Sequence, residues 1–154
     1  MTDVELDIVS PADPEARTAV DAYVAELDAR FVERFDPGEA LLVDAEALAP
    51  PTGVFLLARR DGHVAGCGGL QRLDDQTAEV KRMWVDTAHR GAGVGRLLLG
   101  ALEEHARRLG HRRVVLDTHA SLTEAMALYE RSGYRSVERY NDNPYAQRWY
   151  EKQL

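Results

Sequence analysis

The chain has little of several things, and each shortage excludes a class. Cys67 is the one cysteine among 154 residues, which rules out an intramolecular disulfide framework and the usual zinc sites built on several thiolates. Long apolar runs are missing: stretches such as Val54 to Ala58 and Leu97 to Leu99 fall far short of the ~20 residues that cross a bilayer. The N-terminus, MTDVELDIV, has no basic stretch followed by an apolar segment, so no signal or transit peptide is expected and a cytoplasmic location follows by default. His63, His89, His105, His111 and His119 show no metal spacing such as HExxH, so no metal is expected. Positive charge is also scarce. Lysine occurs only at Lys81 and Lys152, and 19 basic residues against 26 acidic ones give a net charge of -7. A field of that sign repels a phosphate backbone, which makes nucleic acid a poor partner.

What is present describes an ordinary domain. Hydrophobic residues make up 45% and charged residues 29%, which excludes disordered, collagenous and coiled-coil classes. The length fits one domain over residues 1–154.

Val4 to Val9 reads as a strand, and Asp13-Pro14 then supplies an N-cap residue followed by proline at the first helical position. Ala16, Val20, Tyr23, Val24, Leu27 and Phe31 recur at helical spacing, predicting a helix over residues 14 to 35 that covers a sheet with one apolar face. Asp36-Pro37-Gly38 stops it, and a loop with one helical turn near Ala45 to Leu48 leads to the Pro50-Pro51-Thr52-Gly53 break. Val54 to Arg59 and His63 to Leu70 predict a hairpin, because Asp61-Gly62 supplies the positive φ values of a tight turn. Residues 77 to 85 form a third strand of that meander, and residues 86 to 92 a loop. A long helix follows, with Val94, Leu97, Leu98, Ala101, Leu102, Ala106 and Leu109 on its buried face and a stop at Gly110. Val114 to Asp117 completes a strand, helix, strand order, which implies parallel pairing. A helix over 121 to 132 and two strands, 134 to 139 and 147 to 153, finish the chain around a polar loop, YNDNPYA. The expected architecture is α/β: a mixed sheet with helices on both faces.

The informative segment is HRGAGVGRLLLGALEEHA, residues 89 to 106, where Gly91, Gly93 and Gly95 sit between a strand and a helix N-terminus. Glycines let backbone approach a phosphate, and the unpaired N–H groups of a first helical turn point at it with the positive end of the helix dipole. Lys81, Arg82, Arg90 and Arg96 against Asp86 give residues 81 to 96 a charge of +3, leaving -10 for the rest of a chain of -7. A P-loop is excluded, because Arg96-Leu97 stands where Lys and Ser or Thr are needed. A dinucleotide fingerprint begins at Gly91 and Gly93, but Arg96 takes its third glycine, although Asp117 ends the next strand as a ribose-binding acid would.

RGAGVG does match the (Gln/Arg)-x-x-Gly-x-(Gly/Ala) pyrophosphate loop of the GCN5-related N-acetyltransferase (GNAT) superfamily. The LYERSGY segment and the order of elements are similar to that family over essentially the whole chain, in the manner of a small bacterial-type single-domain member. The resemblance implies a twisted mixed sheet of about six or seven strands, with residues 78 to 85 and 113 to 118 as two parallel strands that splay apart at a cofactor cleft. It implies a cytoplasmic acyltransferase that uses acetyl-CoA (coenzyme A) as co-substrate, without a metal, and transfers the acetyl group directly to a primary amine of a small molecule or peptide. Homodimers are common in the family.

Carried over residue by residue, the resemblance makes Met83, Trp84 and Val85 the backbone that pairs with the pantetheine arm. Arg90, Gly91, Ala92, Gly93, Val94, Gly95 and Arg96 become the pyrophosphate loop. Tyr129 takes the place of the tyrosine that reaches the departing sulfur, and Glu79 that of the strand glutamate used by some members as general base. These types suit the chemistry. An ammonium cannot attack until it loses a proton, a tetrahedral oxyanion needs an N–H donor, and a thiolate leaving group takes a proton or hydrogen bond that a phenol can give. Cys67, among glycines and apolar positions, reads as a small buried residue. His119, at the end of the strand beside the cleft, is a further proton-handling candidate, and the acceptor side is expected from residues 20 to 50 and 139 to 149. Two other readings compete: an acyl-CoA-binding sensor without acceptor chemistry, and a dinucleotide-dependent oxidoreductase.

Overall fold

The computed structural model describes residues 4–30 and 46–154. Strands β1 (Val4–Ile8), β2 (Val54–Arg60), β3 (His63–Arg72), β4 (Thr77–Val85), β5 (Arg113–Thr118), β6 (Arg135–Val137) and β7 (Arg148–Gln153) alternate with helices α1 (Pro14–Arg30), α2 (Val94–Arg108) and α3 (Thr123–Arg131). The strands form one sheet in the order β1-β2-β3-β4-β5-β7-β6, antiparallel throughout except for the β4–β5 pair.

Local chemistry explains most boundaries. The Asp13 carbonyl accepts the Arg17 N–H at 2.9 Å, which starts α1 with Pro14 in its first turn, where no N–H is needed. The β2–β3 turn has Asp61 at φ 53° and Gly62 at φ 79°, the two positive values that a hairpin of matching twist requires. The helix expected over 14 to 35 is described as far as Arg30, and the Asp36-Pro37-Gly38 stop lies outside the described residues. The strand expected over 134 to 139 is cut to Arg135–Val137. Tyr134 turns inward instead, its ring 6.0 Å from that of Tyr129 and its hydroxyl donating to Glu103 at 2.9 Å.

The sheet has a core on each face. Val54, Leu56 and Ala58 of β2 join Leu98, Leu99, Leu102 and Ala106 of α2 in one cluster, which also takes Tyr129 of α3. Phe55 and Leu57 join Ala16, Ala19 and Val20 of α1, with Leu48 and Cys67, in the other. Period-two alternation along β2 therefore feeds both cores, which is why that strand reads as an unbroken apolar run.

Two features of β4 position the site. Its parallel pairing with β5 covers only Thr77↔Arg113, Ala78↔Val114 and Glu79↔Val115, and beyond these the strands part. Its register against β3 shifts between Cys67 and Gly69, opposite Arg82, whose φ of 54° marks a bulge. The bulge brings Gly66 so near the β4 backbone that a Cβ there would lie 2.5 Å from the Trp84 carbonyl oxygen.

At the other end of the sheet, buried Glu151 accepts hydrogen bonds from Arg135 Nε at 2.8 Å and Arg113 Nε at 2.6 Å. The Arg135 bond, followed by that from Arg113, holds its carboxyl below the ordinary range against the opposing effect of burial. A depressed carboxylate stabilises the fold above its unfolded value of about 4.5, and that stability is lost as pH falls through the lower folded value. Glu151→Gln is expected to flatten this acid limb, as read from urea unfolding across the acidic range. Gly66→Ala is expected to lower unfolding free energy by about 1–3 kcal/mol, because backbone must shift to admit the methyl group; urea titration with a thermal melt checks this.

Candidate functional site

A cleft of about 800 Å³ opens where β4 and β5 part, between α1, the end of β4, the glycine loop, α2 and α3. Met83, Trp84, Val85, Arg90, Gly91, Gly93, Val94, Gly95, Arg96 and Tyr129 line it, so most of the residues singled out from the sequence come together there. Ala92 and Glu79 lie off this lining.

The loop is shaped by backbone conformation. Gly91 and Gly93 have φ of 83° and 84°, and a Cβ on either would meet nothing within 4 Å, so glycine is needed for the dihedral and not for space. Gly93 caps α2 with no side-chain hydrogen bond, which leaves the first-turn N–H groups of the helix for a ligand facing the cleft. An uncapped positive helix end in a glycine loop fits the diphosphate of coenzyme A. The side chain of Arg90 is engaged elsewhere: its Nε donates to the Val85 carbonyl at 3.2 Å, and its two terminal nitrogens pair with Glu26 of α1 and, at 3.3 Å, with Glu124 of α3.

Tyr129 is buried, with the rings of Tyr134 and Tyr150 each 6.0 Å away. Burial, with lesser contributions from the charges of Tyr23, Asp117 and Tyr150, pushes its phenol above the ordinary tyrosine range, so it remains a proton donor at neutral pH. Burial raises Tyr23, on the α1 wall of the cleft, in the same way. Cys67 is fully buried and its thiol is pushed up to about 12, which makes it an inert packing group.

Glu79 sits in a polar network over the parting strands. Its Oε1 accepts from Gln71 Nε2 at 2.7 Å, with Lys81 Nζ 3.7 Å away, and its Oε2 accepts from the Tyr140 hydroxyl and from Asn141 Nδ2 at 3.3 Å. The same Asn141 Nδ2 donates to Asp117 Oδ2 at 2.5 Å, Asn143 Nδ2 donates to Asp117 Oδ1 at 3.2 Å, and Trp149 Nε1 donates to Asn141 Oδ1 at 3.0 Å. Asp117, which the dinucleotide reading would use as a ribose acid, thus anchors the loop between β6 and β7. His119 is engaged in the turn before α3, its Nδ1 2.7 Å from Ser121 Oγ.

Sequence reasoning passed over Asn141, Asn143 and Glu26. The run YNDNPYA carried a signal for the first two, since asparagines clustered between strands are there either to turn the chain or to donate. Glu26 carried none, because a glutamate on the polar side of an amphipathic helix looks like any other. Asn141→Ala would leave two carboxylates and an indole N–H short of a partner, and a loss of about 1–3 kcal/mol in urea unfolding is expected. Asn141→Asp adds a third carboxylate and is expected to cost more at neutral than at acidic pH.

An open mixed sheet whose two central parallel strands part beside a glycine loop at a helix N-terminus is the N-acetyltransferase fold. The chain belongs to the Acetyltransferase (GNAT) family, whose sequence model matches residues 20–134. It is 39% identical over 119 residues to the IAA acetyltransferase of Azospirillum brasilense, a match covering 75% of this chain and 76% of that protein. Among solved structures, a GNAT acetyltransferase of Staphylococcus aureus superposes with a TM-score of 0.83 at 20% identity, covering 97% of this chain and 99% of the other. A GNAT acetyltransferase of Elizabethkingia anophelis, solved with acetyl-CoA bound, superposes with a TM-score of 0.70 at 20% identity over 98% of both chains. The expected family and the mixed sheet of six or seven strands with flanking helices are therefore borne out, with seven strands present among the described residues. Among the described residues no helix is long and apolar enough to cross a membrane.

Proposed function

We propose that this protein is an acetyl-CoA-dependent N-acetyltransferase that passes the acetyl group to a primary amine by direct attack in a ternary complex. The observation that carries this is the parting of β4 and β5 after Glu79 and Val115, beside a cleft lined by both the glycine loop and Tyr129. In this reading the amides of the glycine loop receive the diphosphate, and the open edge of Met83, Trp84 and Val85 pairs with the pantetheine arm. When bound, acetyl-CoA supplies an activated thioester.

The chain's own groups then act on the acceptor and the leaving group. The amine gives up a proton and its nitrogen attacks the thioester carbonyl. A backbone N–H of the parted strand holds the oxyanion, and the C–S bond breaks as the buried Tyr129 phenol meets the sulfur. We assign the proton-accepting role to Glu79. Because it stands off the cleft lining and accepts from Tyr140, that role requires an intervening water. The acceptor is a small-molecule or peptide amine, and the net charge of -7 favours a cationic one.

Calorimetric titration with acetyl-CoA, with NAD(H) as control ligand, tests the reading, and release of coenzyme A then reports on a panel of amines. Binding of acetyl-CoA alone is expected; no binding, or binding of NAD(H) instead, would overturn it. Tyr129→Phe is expected to lower kcat by ~10²-fold with little change in KM, and Glu79→Gln to shift the pH–rate profile. Wild-type rates in both variants would remove the role assignments and leave the fold untouched.

A further inference from the structure

All three guanidinium nitrogens of the arginine that opens the glycine loop have protein partners. Its Nε donates to the Val85 carbonyl at the end of β4, one terminal nitrogen donates to Glu26 on α1, and the other forms an ion pair at 3.3 Å with Glu124 in the first turn of α3. Glu26, Glu124, Val85 and Arg90 all line the cleft, so this arrangement spans it from one wall to the other. Each nitrogen of the guanidinium thus has a protein acceptor or a carboxylate within ion-pair reach, which turns its charge toward protein. The helix end beside it, capped by Gly93 with no side-chain bond, attracts a diphosphate.

We propose that Arg90 is a positioning residue that ties α1 to α3 across the cleft, leaving the diphosphate of coenzyme A to the backbone amides of the glycine loop. The inference rests on the coenzyme A reading above. Its consequence reaches the acceptor side. Tyr23 lies one helical turn from Glu26 on α1 and lines the same cleft, so the tie that fixes α1 also fixes Tyr23 over the strand ends. A planar guanidinium suits this task, because it bonds in three fixed directions at once and an ammonium does not.

The two roles open to Arg90 predict opposite signs. If it ties the helices, Glu26→Gln and Glu124→Gln each loosen the cleft and weaken coenzyme A binding by about threefold or more, and the loss in Glu26→Gln is not added to that in Arg90→Gln when the two are combined. Arg90→Lys keeps the charge and is expected to bind as poorly as Arg90→Gln. If Arg90 contacts the diphosphate, removing either carboxylate frees it and tightens binding, and Arg90→Lys binds nearly as the wild type. Either of these results overturns the proposal. Calorimetry with coenzyme A on the full chain reads every arm, with thermal melts showing that each variant is folded. Failure of the wild type to bind coenzyme A would overturn the cofactor reading, and the tie to it as well, before any variant is compared.

Discussion

The structure depends on one interruption: the parallel ladder between β4 and β5 stops after Glu79 and Val115. Up to that point the sheet is continuous and its faces are covered. Beyond it, β4 keeps its antiparallel neighbour β3 while its other edge is released, so the backbone of Met83 to Val85 faces a cleft and not a strand. A released edge inside a domain is costly unless something uses its polar groups, since buried N–H and C=O groups are almost always paired. The bulge at Arg82 and the close approach of Gly66 to Trp84 make the bend that opens it. The helices then close the walls, with α1 on one face and α2 and α3 on the other.

Charge around the cleft is arranged less simply than a count suggests. Residues 81 to 96 carry +3, yet little of that is presented as free positive charge toward a ligand. Lys81 lies 3.7 Å from Glu79, Arg82 is buried at the bulge, and Arg90 is shared between Glu26 and Glu124. Arg96 is exposed at the loop. The fixed donors toward the cleft are backbone amides of the α2 terminus. Such donors are pre-organised and cannot be neutralised by a neighbouring carboxylate turning toward them, as a long cationic side chain can.

A second constraint is the fastening of the loop between β6 and β7. Asn141 serves Glu79 and Asp117 through one amide nitrogen and accepts from Trp149 through its oxygen, so three strands and a loop meet at one side chain. The network accounts for the shortness of β6. After Val137 the chain leaves the ladder, and its asparagines take over the hydrogen bonding along the strand ends.

The linear chain determined the elements and the glycine loop, because both depend on neighbours in sequence. Apolar spacing set the helices, although Leu97 and Leu109, expected on the buried face of α2, are exposed and Leu99 is buried instead. Asp61-Gly62 set the hairpin, and Gly91-Ala92-Gly93-Val94-Gly95 ahead of an amphipathic run set the helix end with its open amides. It also placed Tyr129 on the apolar face of α3, and the fold then put that residue at the cleft. The tertiary structure alone decided what each charged or polar group does once the elements meet. Arg90 is separated from Glu26 by 64 residues, Asn141 from Glu79 by 62, and Gly66 from Trp84 by a hairpin and a bulge. Periodicity reports which side of an element faces inward. It carries nothing about which distant side chain waits there, because that partner is fixed by sheet order, register and the point at which two strands part.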